Sequence, residues 1–336
     1  MFEKALLMYI YAVTPLHPGT GSSISEIADL PIQRERHTKF PVIHGSTIKG
    51  ILRHAPKGAG ESGPSFSDIC KSCPVKEGDG WKEACGICGE IFGTQNEAGG
   101  ISVTDARILA FPVRMLKGVF GWITSPLVLE RYRRDLMLAG IDMDKVKRWE
   151  IPKPSDGEAT VTSSADLADS DGYIYIEDLR LKANRNNLDA IAEYVAGALF
   201  NGNPDNSADR EAREKIKNNL IVVSDNLFRD LALFTTEVVA RTKINPYTGT
   251  VESRALWWEE YLPSDTVMYS LILMPNRVTE IDINSLKSSL RERIGNDGRA
   301  LATIIKEVYN GKVLQIGGDE TTGKGFAMIK IAERGE

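Results

Sequence analysis

The sequence lacks a long hydrophobic segment. Its longest uninterrupted apolar run covers residues 5–13, whereas a membrane-spanning helix needs about 20 apolar residues. No basic segment precedes a cleavable hydrophobic stretch near the N-terminus. We therefore predict neither a membrane span nor a secretory signal, and we expect a cytoplasmic protein.

Net positive charge is also absent. The 336 residues include 41 lysines and arginines and 46 acidic residues, giving a formal net charge of -5. This removes the simplest argument for a nucleic-acid partner, a surface that is basic overall. Such a partner would need a local patch, and the segment 33–57 is a candidate. It sets one acid, Glu35, among six basic residues: Arg34, Arg36, Lys39, Lys49, Arg53 and Lys57.

Cysteine is scarce, and the four that occur lie within nineteen residues. They form two C-x2-C pairs, Cys70 with Cys73 and Cys85 with Cys88. Each pair can turn both sulfurs toward one ion, and two pairs complete the tetrahedral shell that Zn2+ prefers. Two disulfides conflict with a reducing compartment, and a redox motif explains one pair but not its duplicate. We predict a zinc site, with unmetallated thiols as the alternative.

The segment around the cysteines favours a structural role for this zinc. Residues 55–90 are rich in glycine, proline, serine and lysine and hold few large apolar side chains, too few to bury a core unaided. Four cysteine ligands leave no open position for a reacting water, so the predicted zinc is structural.

Hydrophobic periodicity predicts strands and helices in irregular alternation. In the first half we expect a strand over residues 5–14, a loop over 15–41 and a helix over 46–54 with Ser46 as its N-cap. Two strands should lie within 101–124, followed by a helix over 126–138 that Ser125 and Pro126 begin. Residues 150–171 carry almost no large apolar side chains and are predicted to be exposed to solvent.

The second half contains a long predicted hairpin. Before it we expect two strands, at 173–176 and 220–224. We also expect three helices, at 188–200, within 201–219 and up to 233. Two strands then flank the turn 245–249, over 236–244 and 250–261. Alternation places Trp257, Glu259 and Tyr261 on one face of the second strand, and its even-numbered neighbours on the other. After the hairpin we expect a strand at 267–274, helices near 284–293 and 299–309, and two strands around a glycine-rich loop.

These elements predict an α+β fold with a modified ferredoxin-like, or RNA-recognition-motif-like, palm. The β-α-β-β-α-β unit is built from the strand at 5–14, the helix at 46–54, the strands within 101–124 and the helix from 126. We expect 1–54 and 91–149 to form the palm core and 55–90 to be the zinc insertion. Residues 150–235 would be a partly exposed excursion with helices, 236–263 a thumb hairpin, and 264–336 the rest of the palm with the glycine-rich loop.

The glycine-rich loop near the C-terminus, GGDETTGKG at residues 317–325, resembles a phosphate-binding Walker loop but departs from it at one residue. Gly325 follows Lys324 where magnesium binding needs serine or threonine, and a strand rather than a helix should follow. ATP or GTP hydrolysis is therefore disfavoured. Glycines still let a sugar-phosphate backbone approach closely, so RNA binding through Gly317, Gly318, Gly323, Lys324 and Gly325 and a simple flexible turn both stay open.

Several motifs together resemble the RAMP superfamily of CRISPR proteins, and within it the backbone subunits of type III-B, or Cmr, effector complexes. They are HPGTG at 17–21, DLPIQRERH at 29–37, FPVI at 40–43, GSTIKGILR at 45–53, ISVTDA at 101–106, WWEEYLP at 257–263 and the terminal glycine-rich loop. The cysteine insertion departs from the common form of the family.

The resemblance implies a function and a set of site residues. Copies of the chain would stack head to tail along a CRISPR RNA (crRNA), beside other Cmr subunits, and cut the paired target RNA at regular intervals. Asp29 matches the acidic residue required for cutting, and His17, Glu259 and Tyr261 match further catalytic positions. Lys49 and Arg53 match a helix that grips the guide, next to the basic residues Arg34 and Arg36.

The implied chemistry is attack by the RNA's own 2'-hydroxyl, giving cyclic phosphate and 5'-hydroxyl ends. Asp29 would hold Mg2+ or Mn2+ or accept a proton, and His17 would act as acid or base. We favour the metal role because an exposed aspartate is a weak base at neutral pH. The alternatives are a crRNA-binding subunit of the same fold that does not cut, and a small-molecule enzyme using both residues in a closed pocket.

Overall fold

A computed structural model describes residues 2–21, 28–54, 86–93, 96–200, 207–275 and 300–334. The elements of the first half are β1 (Phe2–Ala12), β2 (Val42–Ile43), α1 (Gly45–His54), α2 (Gly86–Phe92), β3 (Ser102–Val103), β4 (Ala106–Arg114), β5 (Phe120–Thr124), α3 (Pro126–Ala139), α4 (Met143–Val146), β6 (Glu158–Val161) and β7 (Tyr173–Ile176).

The second half contains β8 (Leu179–Asn184), α5 (Asp189–Leu199), α6 (Ser207–Asn219), β9 (Leu220–Val222), α7 (Asp225–Phe234), β10 (Glu237–Ile244), β11 (Val251–Tyr261), β12 (Val267–Pro275), α8 (Ala300–Tyr309), β13 (Val313–Gln315), a 3-10 turn (Glu320–Thr322) and β14 (Phe326–Ala332). None of the helices in these ranges is long and apolar enough to cross a membrane. The helix predicted near 284–293 lies outside the described residues.

A large sheet runs in the order β13-β14-β1-β12-β4-β5-β9-β6-β8-β7. Its central strands β14, β1, β12 and β4 pair antiparallel. Along the chain, the motif consists of β1, α1, β4, β12, α8 and β14. Its first to fourth strands are thus β1, β4, β12 and β14, and in the sheet the fourth lies beside the first, the first beside the third and the third beside the second. This is the ferredoxin-like arrangement.

The predicted second half of this motif is wrong. The sequence assigned it to the strands within 101–124 and the helix from 126, but the third strand is β12 and the second helix is α8. β5 instead pairs with the outer side of β4 and extends the sheet through a parallel pairing with β9. β4 and β5 are neighbours in the sequence, so their hairpin can be recognised from the residues between them. β12 lies more than 140 residues after β4, so no sequence pattern shows that these two strands pair.

A layer of aromatic side chains covers one face of the central strands. Tyr9 of β1 and Tyr269 of β12 lie opposite each other in the register, and Tyr132 of α3 packs on both, with its ring centroid 6.3 Å from Tyr9 and 5.1 Å from Tyr269. The hydroxyls of Tyr9 and Tyr132 are 2.5 Å apart, and all three residues are buried. The sheet face that RNA-recognition motifs use for stacking bases is therefore closed by α3.

A hydrogen bond joins the two helices of the motif, α1 and α8. The hydroxyl of Tyr309 in α8 donates a hydrogen bond of 2.5 Å to the carbonyl oxygen of Leu52 in α1, and α2 packs on α1. Tyr309 and Leu52 are fully buried. The orientation of α1 is therefore fixed by the core and not by its exposed basic residues.

Two local predictions need correction. Residues 150–171 are only partly exposed, because β6 lies inside the sheet and Ala159, Val161, Ala165 and Leu167 are buried. Ser46 is not the N-cap of α1, which begins at Gly45. The carboxylate of Asp105 instead accepts a 2.7 Å bond from the Gly45 N–H.

Candidate functional site

The segment that carries Asp29 lies along the free edge of β11. The N–H of Leu30 donates to the carbonyl of Trp258, and the N–H of Glu260 donates to the carbonyl of Leu30, both at 3.0 Å. The carboxylate of Asp29 accepts a 2.8 Å hydrogen bond from the Trp258 N–H. Asp29 is exposed, so a negatively charged group is held at a defined point while staying open to a ligand.

His17 is attached to the same edge of β11. Its Nδ1 lies 2.7 Å from the carbonyl oxygen of Glu260, two residues beyond the attachment point of Asp29, which corresponds to about 7 Å along a strand. A carbonyl oxygen only accepts hydrogen bonds, so Nδ1 carries the proton. Nε2 is then the unprotonated nitrogen, and the two residues that the resemblance singles out are attached to the same edge of β11.

Glu259 and Tyr261 share one face of β11, as predicted, and meet Arg241 of β10. The Arg241 Nε donates to Glu259 at 3.0 Å, and its terminal nitrogen donates to the Tyr261 hydroxyl at 2.7 Å. The indole N–H of Trp257 donates to the other oxygen of Glu259 at 2.8 Å. Both predicted catalytic side chains are thus buried inside a hydrogen-bond network.

The electrostatics of this network keep the acid charged and the phenol neutral. Burial would raise the pKa of Glu259, but hydrogen bonds from Trp257, Tyr261 and Arg241 outweigh burial, and the pKa is lowered. Burial, followed by the hydrogen bond to Glu259, raises the pKa of Tyr261 well above its usual range. Tyr261 is therefore an uncharged donor at neutral pH and does not supply a base.

The glycine-rich loop closes over this network. The Tyr261 hydroxyl lies 2.7 Å from the Asp319 carboxylate, and the Lys324 Nζ is 5.1 Å from the Tyr261 ring centroid. The centroid of the His17 ring lies 5.4 Å from the centroid of the Tyr261 ring. The structure thus brings His17, Glu259, Tyr261 and Lys324 together, although they come from three distant segments.

Gly317 allows the loop to lie against the N-terminal segment, and Gly325 allows the loop to fold back against Ile316 at its own start. At Gly317 (φ 85°) an added Cβ would be 2.1 Å from the His17 carbonyl oxygen, and at Gly325 (φ 88°) it would be 2.8 Å from the Ile316 carbonyl oxygen. The N–H groups of Gly318 and Gly325 donate to the His17 and Pro15 carbonyls. Gly323 has open space around it. β14 follows directly, which agrees with the argument against a Walker loop.

Arg34 has a structural environment. Its guanidinium, 11% exposed, forms a 2.5 Å ion pair with the fully buried carboxylate of Glu260 and donates to the carbonyl of Ala232. Glu260 also accepts hydrogen bonds from the Ile32 N–H and the Thr236 hydroxyl. Arg34 is therefore occupied in holding the 28–34 segment on β11 and is not free to bind RNA through its guanidinium.

The basic face of α1 is available to a ligand. Lys49 and Arg53 are four residues apart and partly exposed, and neither forms an ion pair within the described parts of the chain. Lys49 donates to the Ile101 carbonyl at 3.2 Å. Burial, followed by repulsion from Arg53, lowers the pKa of Lys49, as expected where positive charge is uncompensated. Arg36 is also exposed.

The predicted metal sites are only partly within the described residues. Cys70, Cys73 and Cys85 lie outside them, whereas Cys88 lies in the first turn of α2 and is buried. In the ranges that the structure describes, no three His, Cys, Asp or Glu side chains converge as metal ligands would.

Sequence reasoning missed three residues of the site: Arg241, Glu260 and Asp319. Arg241 lies directly opposite Trp257 in the hairpin register, so assigning the register from the predicted turn would have placed it beside Glu259. No local pattern brings Asp319 to Tyr261, because they are 58 residues apart. Their contact depends on the packing of the glycine-rich loop.

Comparison with known proteins agrees with this architecture. The family model of the RAMP superfamily matches residues 9–328. The CRISPR system Cmr endoribonuclease Cmr4 of Pyrococcus furiosus is 40% identical over 338 aligned positions, which cover 98% of this chain and 96% of that protein.

Solved structures show the same fold. The crystal structure of oligomeric Cmr4 from Pyrococcus furiosus superposes with a TM-score of 0.67 at 34% identity and covers 99% of both chains. A type III-B Cmr-beta complex bound to cognate target RNA contains a chain with a TM-score of 0.64 at 18% identity, covering 98% of each chain; that likeness concerns the fold alone. On its near full-length family match and its 40% identity to Cmr4, the chain belongs to the RAMP superfamily.

Proposed function

We propose that this chain is the guide-RNA-binding backbone subunit of a type III-B CRISPR effector complex and the endoribonuclease that cuts complementary target RNA at regular intervals. Similarity to the Pyrococcus furiosus Cmr endoribonuclease over 98% of the chain supports this function. The observation that carries it is the exposed carboxylate of Asp29, held by the Trp258 N–H on the strand edge that also holds His17.

The reaction that fits these groups is attack by the 2'-hydroxyl of the target RNA on the adjacent phosphate. It leaves a cyclic phosphate and a 5'-hydroxyl end. The attack requires in-line alignment, loss of the 2'-hydroxyl proton and a proton for the leaving 5'-oxygen. His17 Nε2 suits either proton transfer, because Nδ1 is held by the Glu260 carbonyl. Glu259 and Tyr261 are buried, so they contribute by positioning.

Asp29 fits a site in which one carboxylate of the protein coordinates a divalent cation. One of its oxygens accepts the Trp258 N–H, and the other has no partner among the described residues. Mg2+ is commonly held by one or two carboxylates together with substrate phosphates and water, so Asp29 and the RNA would hold Mg2+ or Mn2+ jointly. The ion supplies charge neutralisation at the phosphate when it is bound.

The guide RNA would be bound by the basic face of α1 and the glycine-rich loop. Lys49 and Arg53 lie on one face of α1 and pair with no acid among the described residues, and Arg36 is exposed nearby in sequence. The exposed Gly317, Gly318 and Gly323 let a backbone approach Lys324 closely. A backbone subunit must accept any guide sequence, so these contacts should go to phosphate and 2'-hydroxyl groups.

The hairpin of β10 and β11 would be the thumb that projects from the ferredoxin-like palm. It forms a two-stranded sheet separate from the large one, and near its turn Ile244, Tyr247 and Val251 are exposed. Such an apolar tip suits insertion into a base stack. Head-to-tail copies of this chain would place successive thumbs along the guide, with other Cmr subunits at the ends, and the complex would act in the cytoplasm.

We also propose a structural zinc in the cysteine insertion. Cys88, in the first turn of α2, follows Cys85 at the spacing of a zinc-binding pair. Elemental analysis of the reduced protein should find one zinc per chain, and replacing Cys88 by serine should abolish it. Protein that contains no zinc after purification without chelators would rule out this site.

The cleavage function is tested by comparing Asp29→Asn with Asp29→Ala in the reconstituted complex. Asparagine retains the oxygen that accepts the Trp258 N–H but loses the charge. We expect both variants to assemble, to bind guide and target RNA normally and to lose cleavage. Wild-type cleavage by Asp29→Asn would favour the alternative, a binding subunit of the same fold that does not cut through Asp29.

A further inference from the structure

Arg241 and Asp319 flank Tyr261 from two different parts of the fold. Arg241 belongs to β10, and Asp319 belongs to the glycine-rich loop between β13 and β14. The Arg241 terminal nitrogen lies 2.7 Å from the Tyr261 hydroxyl and 3.8 Å from the Asp319 carboxylate. It also lies 3.5 Å from the Thr322 hydroxyl. One guanidinium therefore contacts the hairpin and the loop at the same time.

Tyr261 joins the two carboxylates of this cluster. Its hydroxyl is within hydrogen-bond distance of both Glu259 and Asp319 and accepts a hydrogen bond from Arg241. A phenol carries one proton and donates to one carboxylate at a time, so the positive charge of Arg241 holds the two acids together. Removing the Asp319 carboxylate leaves Tyr261 bonded to Glu259 but removes the hydrogen bond and the ion pair that tie the middle of the loop to the hairpin.

The side chain of Asp319 ties the middle of the loop to Tyr261 and Arg241, and its main-chain carbonyl organises the turn. The ends are held by backbone hydrogen bonds from Gly318 to His17 and from Gly325 to Pro15. Between them, the carbonyl of Asp319 accepts hydrogen bonds from the Thr322 hydroxyl and the Lys324 N–H. Asp319 itself has a φ of 64°, a conformation that needs compensating contacts in a residue with a side chain.

The consequence for the site is the placement of two groups that meet RNA. The Tyr261 ring contacts both groups: its centroid is 5.4 Å from that of the His17 ring and 5.1 Å from the Lys324 Nζ. A shift of the loop moves Lys324 away from His17 without changing either side chain. Misplacement of a catalytic group by about 1 Å can cost about a hundredfold in rate.

We propose that Arg241 and Asp319 are positioning residues for RNA cleavage. Through Tyr261 they hold the glycine-rich loop against the base of the hairpin, so that Lys324, which would contact the guide, and His17, which would act on the target, keep their relative positions. This inference rests on the proposed endoribonuclease function. It gives buried Glu259 and Tyr261 a role that needs no contact with the RNA, and it assigns a role to Arg241 and Asp319, to which the resemblance assigns none.

The test compares Asp319→Ala, Asp319→Asn and Glu320→Ala in the complex reconstituted with guide RNA. Asparagine keeps an oxygen that accepts the Tyr261 hydroxyl. Glu320 is the exposed acid next in the same loop, so its variant controls for charge. At saturating target RNA we expect Asp319→Ala to lower the single-turnover cleavage rate by about tenfold to a hundredfold. Asp319→Asn should recover most of the rate, and Glu320→Ala should cleave normally.

A double-mutant cycle separates positioning through Tyr261 from a general loss of stability. If Asp319 acts through the Tyr261 hydroxyl, the effects of Asp319→Ala and Tyr261→Phe should not add. Thermal unfolding and target affinity should stay close to wild type in Asp319→Ala. Wild-type cleavage by Asp319→Ala, or additive effects in the cycle, would overturn the inference. Cleavage that survives Asp29→Asn would instead overturn the proposed function, so the two failures are distinguishable.

Discussion

The carboxylate of Asp29 accepts a hydrogen bond from the backbone N–H of Trp258, although the two residues are 229 positions apart in the chain. The donor is a main-chain group, so the position of Asp29 depends on the docking of its segment along β11 and not on the Trp258 side chain. The indole ring of Trp258 is 46% exposed. The same residue thus anchors the acid through its backbone and offers an aromatic surface beside it.

Replacing Trp258 by alanine should weaken target binding while leaving Asp29 in place. Stacking of a base on an aromatic side chain contributes about 1–3 kcal/mol, so we expect the Kd for target RNA to rise by about tenfold, measured by filter binding. Trp257→Phe is the control, because Trp257 lies on the opposite face of β11. Unchanged affinity in Trp258→Ala would show that the ring does not contact RNA.

Gly317→Ala should be more damaging than Gly323→Ala. Both glycines have positive φ, so both variants incur the cost of about 1–2 kcal/mol for that backbone conformation. At Gly317 the new Cβ would also meet the His17 carbonyl oxygen at 2.1 Å, whereas Gly323 has open space. We expect Gly317→Ala to lower both Tm and the cleavage rate and Gly323→Ala to lower cleavage little. Equal effects would contradict the proposed packing of the loop on His17.

Glu260→Ala should destabilise the protein strongly because it leaves the buried Arg34 charge without its partner. Breaking a buried pair from one side costs about 3–5 kcal/mol, measurable as the free energy of unfolding in urea. Glu252→Ala removes the exposed pair with Lys243 and should cost less than about 1 kcal/mol. Similar losses in the two variants would argue against a structural role for Arg34.

Guide-RNA affinity should fall with added salt, and removing Lys49 or Arg53 should weaken this dependence. Each phosphate contact contributes about 0.7 to the slope of log affinity against log salt for single strands. We expect Lys49→Ala and Arg53→Ala each to reduce the slope by about that amount. Lys145→Ala, which removes an amino group of high exposure on α4, should leave it unchanged. Slopes identical to wild type in the α1 variants would remove α1 from the guide-binding surface.

Glu35 should stabilise the protein at neutral pH and lose this effect in acid. Burial raises its pKa, but hydrogen bonds from Thr38 and Arg131 outweigh burial, and the pKa lies below its ordinary value of 4.5. A lowered carboxyl pKa contributes stability above the unfolded value and loses it as pH falls through the folded value. The difference in unfolding free energy between wild type and Glu35→Gln should therefore be constant above about pH 5 and shrink below about pH 4. A difference that grows in acid would contradict this sign.

Much of the local structure was predictable from the sequence. The strand β1, the N-cap Ser125 with Pro126 after it, and the hairpin of β10 and β11 follow from periodicity, capping and turn residues. Those signals act over a few residues, so they report an element but not its neighbours. The assignment of β12 and α8 to the ferredoxin-like motif required strand pairing across the chain, and it was missed for that reason.

The site was predictable to the extent that motifs carry it. Asp29 and His17 came from the resemblance, and the structure places both on the same edge of β11. Arg34 was predicted from charge alone, which cannot distinguish an exposed cation from one paired with a buried Glu260. Asp319 had no local signal, because its partner Tyr261 belongs to another segment.

The aromatic layer formed by Tyr9, Tyr132 and Tyr269 separates the interior of the palm from its proposed ligand. Since these rings seal the sheet against α3, an RNA strand bound as proposed would pass along the rim of the palm and touch loops and helix ends. The positions that stabilise the fold and the positions that would contact RNA are then two separate sets.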